Sequence, residues 1–286
     1  MRTTAELKAV LQQVAELDYA LPAGIDLDGL IADMLHHMGD TDSKLRDDLI
    51  FGTLASWEDG EVVSPDQMRQ ILRSVIDEKH LLLSLGENGT DTVFMRAFAA
   101  LAINCAICYE MEKPYMTDDD KRATIAAILR HVDGERDYRG YVEGKGWAHA
   151  IAHAADVLWV SDAIATADEM PQILGAIKTA MTCKHATFSA GEDDRMATAF
   201  VSLFYESALE NEIVKPKLFY DWIADFVAET DELPAPEKFN LRFNRRNFIK
   251  SLYANLVRAA DDYEKYPEDY RGICEIALAA LNKIYE

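Results

Sequence analysis

Apolar residues recur along nearly the whole chain at the i, i+3, i+4, i+7 spacing of amphipathic helices, while the period-two alternation of a half-buried strand is almost absent. The breaks between periodic runs carry helix-start chemistry. Ser64, Pro65 and Gln67 supply an N-cap, a proline at the first helical position and the reciprocal partner of a capping box. Thr117 and Asp120 repeat the arrangement, and Pro171, Pro216 and Pro267 each stand shortly before a new amphipathic run, where a missing amide proton costs nothing. Read between these marks, the chain holds about twelve helices joined mostly by short connections. The Asn-Gly step in GENGTD, Gly86 to Asp91, has helical patterns on both sides and reads as a helix-to-helix connection rather than a hairpin.

The fold class expected is therefore all-α. Successive helix pairs without strands favour a paired α/α array of the HEAT-like superhelical kind. No motif recurs at a fixed period, so a globular multi-helix bundle is the alternative. A single domain over residues 1–286 is expected, with the acids and prolines of AETDELPAPEKF, near 228–239, marking a surface loop or a weak boundary. The most apolar run, FMRAFAALAINCAICY, is interrupted by Arg96 and Asn104 and reads as a core helix too short to span a bilayer.

Charge narrows the partners. Fifty acidic against 29 basic side chains leave a net charge of -21, which repels phosphate, so neither nucleic acid nor an anionic membrane is an expected partner. Most acidic runs read as solvated helix faces. The exception in sign is KFNLRFNRRNFIK, where Lys238, Arg242, Arg245, Arg246 and Lys250 are expected to pair with surplus carboxylates, a site for an anion or an acidic partner being the alternative. Cys105, Cys108, Cys183 and Cys274 lie inside apolar helical patterns, as reduced thiols do, and the opening MRTTAELKAV has no apolar core of a leader; both suit a cytoplasmic protein.

Candidate chemistry concentrates in DYRGYVEGKGWAHAIAHAADVL, Asp137 to Leu158. If a helix runs from about Lys145 to Trp159, a turn of about 100° per residue places His149, His153 and Asp156 on one stripe. Trp147, Ile151, Ala154 and Leu158 fall almost opposite, toward the core. Two imidazoles one turn apart, with a carboxylate beside them, can hold a divalent metal. The pair reads His-Ala-Ile-Ala-His and lacks the glutamate of the zinc-protease helix, so a general base would come from Asp137, Glu143 or Glu192. The plainer reading is a solvated polar stripe.

Ahead of that helix, Gly134, Gly140, Gly144 and Gly146 surround Asp137, Arg139, Glu143 and Lys145, either as a ligand-binding loop or as an inter-helix turn whose Asp and Arg pair. Gly-Lys-Gly is no phosphate loop, because no Ser or Thr follows the lysine and no strand precedes it. Further on, Glu192, Asp193 and Asp194 occupy the first turn of a helix, where the dipole favours acids, and Arg195 reaches the first segment only if the two helices are neighbours.

These segments, together with RDDLIFGTLASW, GTDTVFMRAFAAL, GEDDRMA and FNRRNFIKSLYANL, resemble the bacterial family catalogued as domain of unknown function 2785. The likeness runs from about Arg46 to Leu256, and its Lys-Gly-Trp-Ala-His block is the most specific part. Family members more often carry serines where this chain has Thr92, Ala97 and Ala99. The resemblance implies a cytoplasmic helical protein, assigns no activity, and suggests that Asp137–Asp156 and Glu192–Arg195 form one site or one structural junction. The first functional expectation is a binding module with a polar groove around 137–156. It would take a protein or small-molecule ligand through Asp137, Arg139, Glu143, Lys145, Trp147, His149, His153 and Asp156, with Glu192, Asp193 and Arg195. The alternative is a metal-dependent enzyme of hydrolase type, its ion held by His149, His153 and Asp156. A purely structural helix corner is the third.

Overall fold

The computed structural model describes residues 1–59, 61–211, 216–228, 233–262, 272 and 274–279. It is all-α. Helices α1 (Thr4–Glu16) and α2 (Leu27–His37) lead to a π-helical stretch, Lys44–Phe51, that runs directly into α3 (Gly52–Ser56). Then come α4 (Pro65–Val75), α5 (Thr92–Glu112), α6 (Asp118–Gly134) and α7 (Ala150–Trp159), followed by α8 (Met170–Met181), α9 (Glu192–Asn211), α10 (Pro216–Val227) and α11 (Glu237–Asp262). The sheet found among the described residues is a two-stranded antiparallel hairpin, β1 (Tyr141–Val142) and β2 (Gly146–Trp147), with Tyr141 opposite Trp147.

The helix starts follow the caps. Thr3 with Glu6, Ser64 with Gln67, and Thr117 with Asp120 each close a capping box, so two otherwise orphaned amide donors are satisfied at each of α1, α4 and α6. Pro65 and Pro171 lie in the first positions of α4 and α8, and Pro216 opens α10. Pro267 lies outside the described residues.

The chain divides into two compact units, Met1–Ala165 and Thr166–Glu286. The division falls away from 228–239, and residues 229–232 of that segment lie outside the described residues. In the first unit α5 is the central element, with Phe94, Ala97, Ile103 and Ile107 wholly sequestered and α4 and α7 packed on it. The phenylalanine and the two isoleucines each contribute about 1.5–3 kcal/mol of transfer free energy. At 21 residues α5 is longer than its most apolar run, and by length and composition it could cross a membrane; 78% of its most apolar window is buried inside this protein. Helix α7 is apolar nearly all round, and its small residues Ala150, Ala152, Ala154 and Ala155 let backbones approach closely. Asn104 fits this dry contact because its amide donates to the Asp156 carbonyl at 2.7 Å.

In the second unit Phe200, Phe219, Trp222, Phe226 and Phe248 form an aromatic core, with Trp222 stacked on Phe226 at 4.9 Å. Buried Asn244 holds the loop before α9, donating to the carbonyls of Cys183 and Ala186 and accepting from the Phe188 amide. Two arginines of the basic run make contacts besides any with carboxylates. Arg245 points inward, donates to the Ala228 carbonyl at 3.0 Å and lies 5.9 Å from the Phe226 ring centre, while Arg246 lies over Phe243 at 5.1 Å. On this helix the long apolar stems and aromatic neighbours pull guanidinium groups toward the core.

Candidate functional site

The segment between α6 and α7 is built on buried charge. Arg96, on α5, is fully buried and grips Glu135 just past α6 in a two-pronged ion pair, Nε to Oε2 at 2.7 Å and Nη2 to Oε1 at 2.8 Å. Such a fork satisfies both partners in a low-dielectric interior. Glu135 Oε1 also accepts the amides of Arg136 and Asp137, so the chain is turned out of the helix by one carboxylate. Asp137, itself fully buried, accepts from the Gly89 amide at 2.9 Å and from Arg139 Nε and Nη2 at 2.8 and 2.6 Å. Arg139 goes on to the Thr90 carbonyl, and Lys145 Nζ sits 2.7 Å from both oxygens of Asp91. The GENGTD turn and the glycine-rich loop are thus two halves of one junction. The Asp137–Arg139 pair is the inter-helix turn expected as one of two readings.

A second clamp comes from the π-helical stretch, which no reading of spacing marked as part of a site. Its Arg46 is fully buried, with the guanidinium 4.3 Å from the Phe94 ring centre and 4.8 Å from that of Phe98. It donates to the carbonyls of Asp40, Lys145 and Trp147 at 2.7, 2.9 and 3.4 Å, tying down both ends of β2. Asp47 lies 2.8 Å from Arg46 Nε in an ion pair too poorly aligned to be a hydrogen bond. Burial pushes the Asp47 carboxyl up to about 6, with Arg46 acting in the opposite sense. The signal available in sequence was an arginine and two aspartates standing directly before the apolar Leu49, Ile50 and Phe51.

Three expectations about the histidine helix are corrected. The helix does not begin at Lys145, because Gly144 and Gly146 take φ values of 73° and 82° and close the hairpin, and α7 starts only at Ala150. His149 precedes the helix in the left-handed region, φ 55°, with its amide donating to the Arg139 carbonyl and its carbonyl accepting from the His153 amide. A wheel drawn through it therefore has the wrong origin. His149 and His153 are not on a wet stripe but are buried, 7% and 6% exposed. Trp147 does not face the core; it is 42% exposed. The His149 ring stacks on Trp147 at 4.2 Å and 21° and meets His153 edge-on at 5.6 Å, while His153 Nδ1 lies 3.2 Å from the Ala97 carbonyl and its ring abuts Phe98. Asp156 is half-buried further along α7. Among the described residues no three His, Cys, Asp or Glu side chains converge in a metal-holding group, these three included.

What remains at the surface is the hairpin. Tyr141 and Trp147, facing each other across the register, are 59% and 42% exposed with ring centres 5.3 Å apart, and Glu143 is exposed at the turn between them. Behind this face, on α6, His131 is buried with neither ring nitrogen in hydrogen-bond geometry. Backbone groups of Ala150 and Leu81 lie near enough to favour its charged form, but burial dominates and lowers its pKa.

The remaining candidates belong to the second unit. Glu192 opens α9, is buried, and accepts from the Ala190 amide; burial pushes its carboxyl upward. Asp193 accepts from Ser251 and Asp194 from Asn255, so this acidic turn ties α9 to α11. Arg195, half-buried, follows on the same turn.

A family model described as "Protein of unknown function (DUF2785)" matches residues 81–254, which takes in the hairpin junction and the α9 turn but leaves out the Arg46 clamp. No curated protein and no solved structure matches the chain. The match spans most of the chain, and the protein belongs to the DUF2785 family of proteins of unknown function.

Proposed function

We propose that this protein is a binding module and that the Tyr141–Trp147 face of the hairpin is where it meets its partner. One observation carries the reading: two large aromatic side chains stand exposed side by side on a hairpin that buried charges hold from behind. Scattered exposed apolar residues need no explanation, but adjacent aromatics on a pre-ordered frame offer contact area at small entropic cost. The polar residues first expected to line a groove, Asp137, Arg139 and Lys145, are engaged within the chain, so they position the face rather than supply it. The hydrolase alternative would need a third ligand beside His149 and His153, and none of the described His, Cys, Asp or Glu side chains supplies one.

A photo-crosslinking residue at Glu143, compared with one at exposed Asp119 on α6, tests the proposal in the producing cell. A discrete adduct from position 143 alone, depleted by Trp147→Ala in a chain that still melts normally, is the expected result. Adducts that are the same from both positions, or indifferent to Trp147→Ala, contradict it.

A further inference from the structure

We propose that the hairpin face recognises a cationic side chain, so that its occupant is a basic segment of a partner protein; this rests on the binding-module reading. The walls are aromatic and nearly perpendicular. Tyr141 and Trp147 meet at 79°, and the stacked His149 ring backs the indole and fixes its tilt. Ring faces carry the negative end of the aromatic quadrupole, so an exposed corner of two rings attracts an ammonium or guanidinium group.

The charges around the corner point the same way. Three cations are already matched, Lys145 by Asp91, Arg139 by Asp137, and Arg46, fully buried, by Asp47, while exposed Arg136, ahead of the hairpin, donates to the carbonyls of Asp133 and Glu135. Glu143, exposed at the turn, has no ion-pair partner among the described residues. The lip of the corner is therefore anionic. An anionic partner would find no uncommitted cation on the hairpin itself, whose one lysine is held by Asp91, and a wholly apolar one would have to desolvate Glu143 without compensation. A second copy of this chain, itself at -21, is repelled at long range, whereas a basic segment is steered inward.

The test uses the full chain, labelled so that the indole N–H of each of its four tryptophans is resolved by NMR. The probes are a short Lys/Arg–Ser peptide, its Glu–Ser counterpart and a Gly–Ser peptide of equal length. The Trp147 signal is expected to move and saturate with the basic peptide only. Trp147→Leu, which keeps apolar area but removes the ring, should weaken that binding at least about fivefold, and Glu143→Gln about twofold. Saturation at Trp147 by the neutral or acidic peptide overturns the cationic occupant and leaves the contact face standing. Binding of the basic peptide that Trp147→Leu does not change overturns it too, as unspecific attraction to a polyanion. If no peptide reaches Trp147 while the Glu143 crosslink yields a partner, the occupant is not basic; if the crosslink also fails, both readings fall.

Discussion

Gly146 and Gly144 lie two residues apart in the same turn and both have positive φ, yet substitution should affect them differently. A Cβ at Gly146 would stand 2.7 Å from Ser43 Cβ and 3.1 Å from Arg46 Nη2, whereas nothing lies within 4 Å of one at Gly144. Gly144→Ala carries only the left-handed cost, about 1 kcal/mol. Gly146→Ala adds a backbone shift that pulls the Lys145 and Trp147 carbonyls from Arg46, and urea unfolding should show a loss of about 2–3 kcal/mol; equal losses at both positions would contradict the clamp. His131 makes a prediction in pH. Its folded pKa lies below the ordinary 6.5, so the unfolded chain takes up the proton first; stability holds above that pH and falls as pH drops below it. His131→Leu should therefore lose less stability than the wild type between pH 7 and pH 5, and parallel profiles would show that the burial is not what sets its response. At this scale the pairing of Asp137 with Arg139 was legible from their spacing and the glycines around them. The left-handed His149 was not, because a non-glycine residue there is held by tertiary contacts, its stack on Trp147 and its bond to Arg139, that no local pattern encodes.

Between elements, the tie that matters most is Arg96 of α5 to Glu135 beyond α6. Removing one partner of a buried pair strands the other's charge, so Glu135→Gln or Arg96→Met should each cost about 3–5 kcal/mol, while the Arg96→Met, Glu135→Gln double variant, whose amide oxygen can still accept the Arg136 and Asp137 amides, should lose clearly less than their sum. Additive losses in that cycle would mean the two groups act separately. The helices themselves were readable, since capping boxes and apolar periodicity are local. Arg96 was visible only as an interruption of an apolar run, because its partner lies 39 residues away and sequence spacing does not report which helices pack. The same holds for the π-helical stretch, whose wider turn is stabilised by Arg46 reaching carbonyls about a hundred residues further on. The hairpin was hidden for a simpler reason: two-residue strands are too short to show alternation, and a helix expected from about Lys145 takes in Gly146, whose positive φ belongs to the turn.

Across the whole chain, the all-α class was legible while the division at Ala165 was not. Prolines and acids near 228–239 drew attention by composition, but compact units are set by which helices bury which faces, and the stretch around Ala165 carries no linker chemistry. The charge of -21 was legible and acquires a direction from the hairpin, where Lys145 is matched by Asp91 and Glu143 is not matched. Two roles are separated in the molecule, with buried charges as frame and the aromatic pair as contact face. Urea unfolding of the Tyr141→Ala, Trp147→Ala double variant tests that separation most directly. An exposed cross-strand pair contributes about 0.2–1 kcal/mol and the stack of Trp147 on His149 about 0.5–1.5 kcal/mol more, so a loss of no more than about 2 kcal/mol is the predicted result. A loss of about 3 kcal/mol or more, the magnitude for truncating a core tryptophan, would make the pair part of the packing and contradict its role as a binding face.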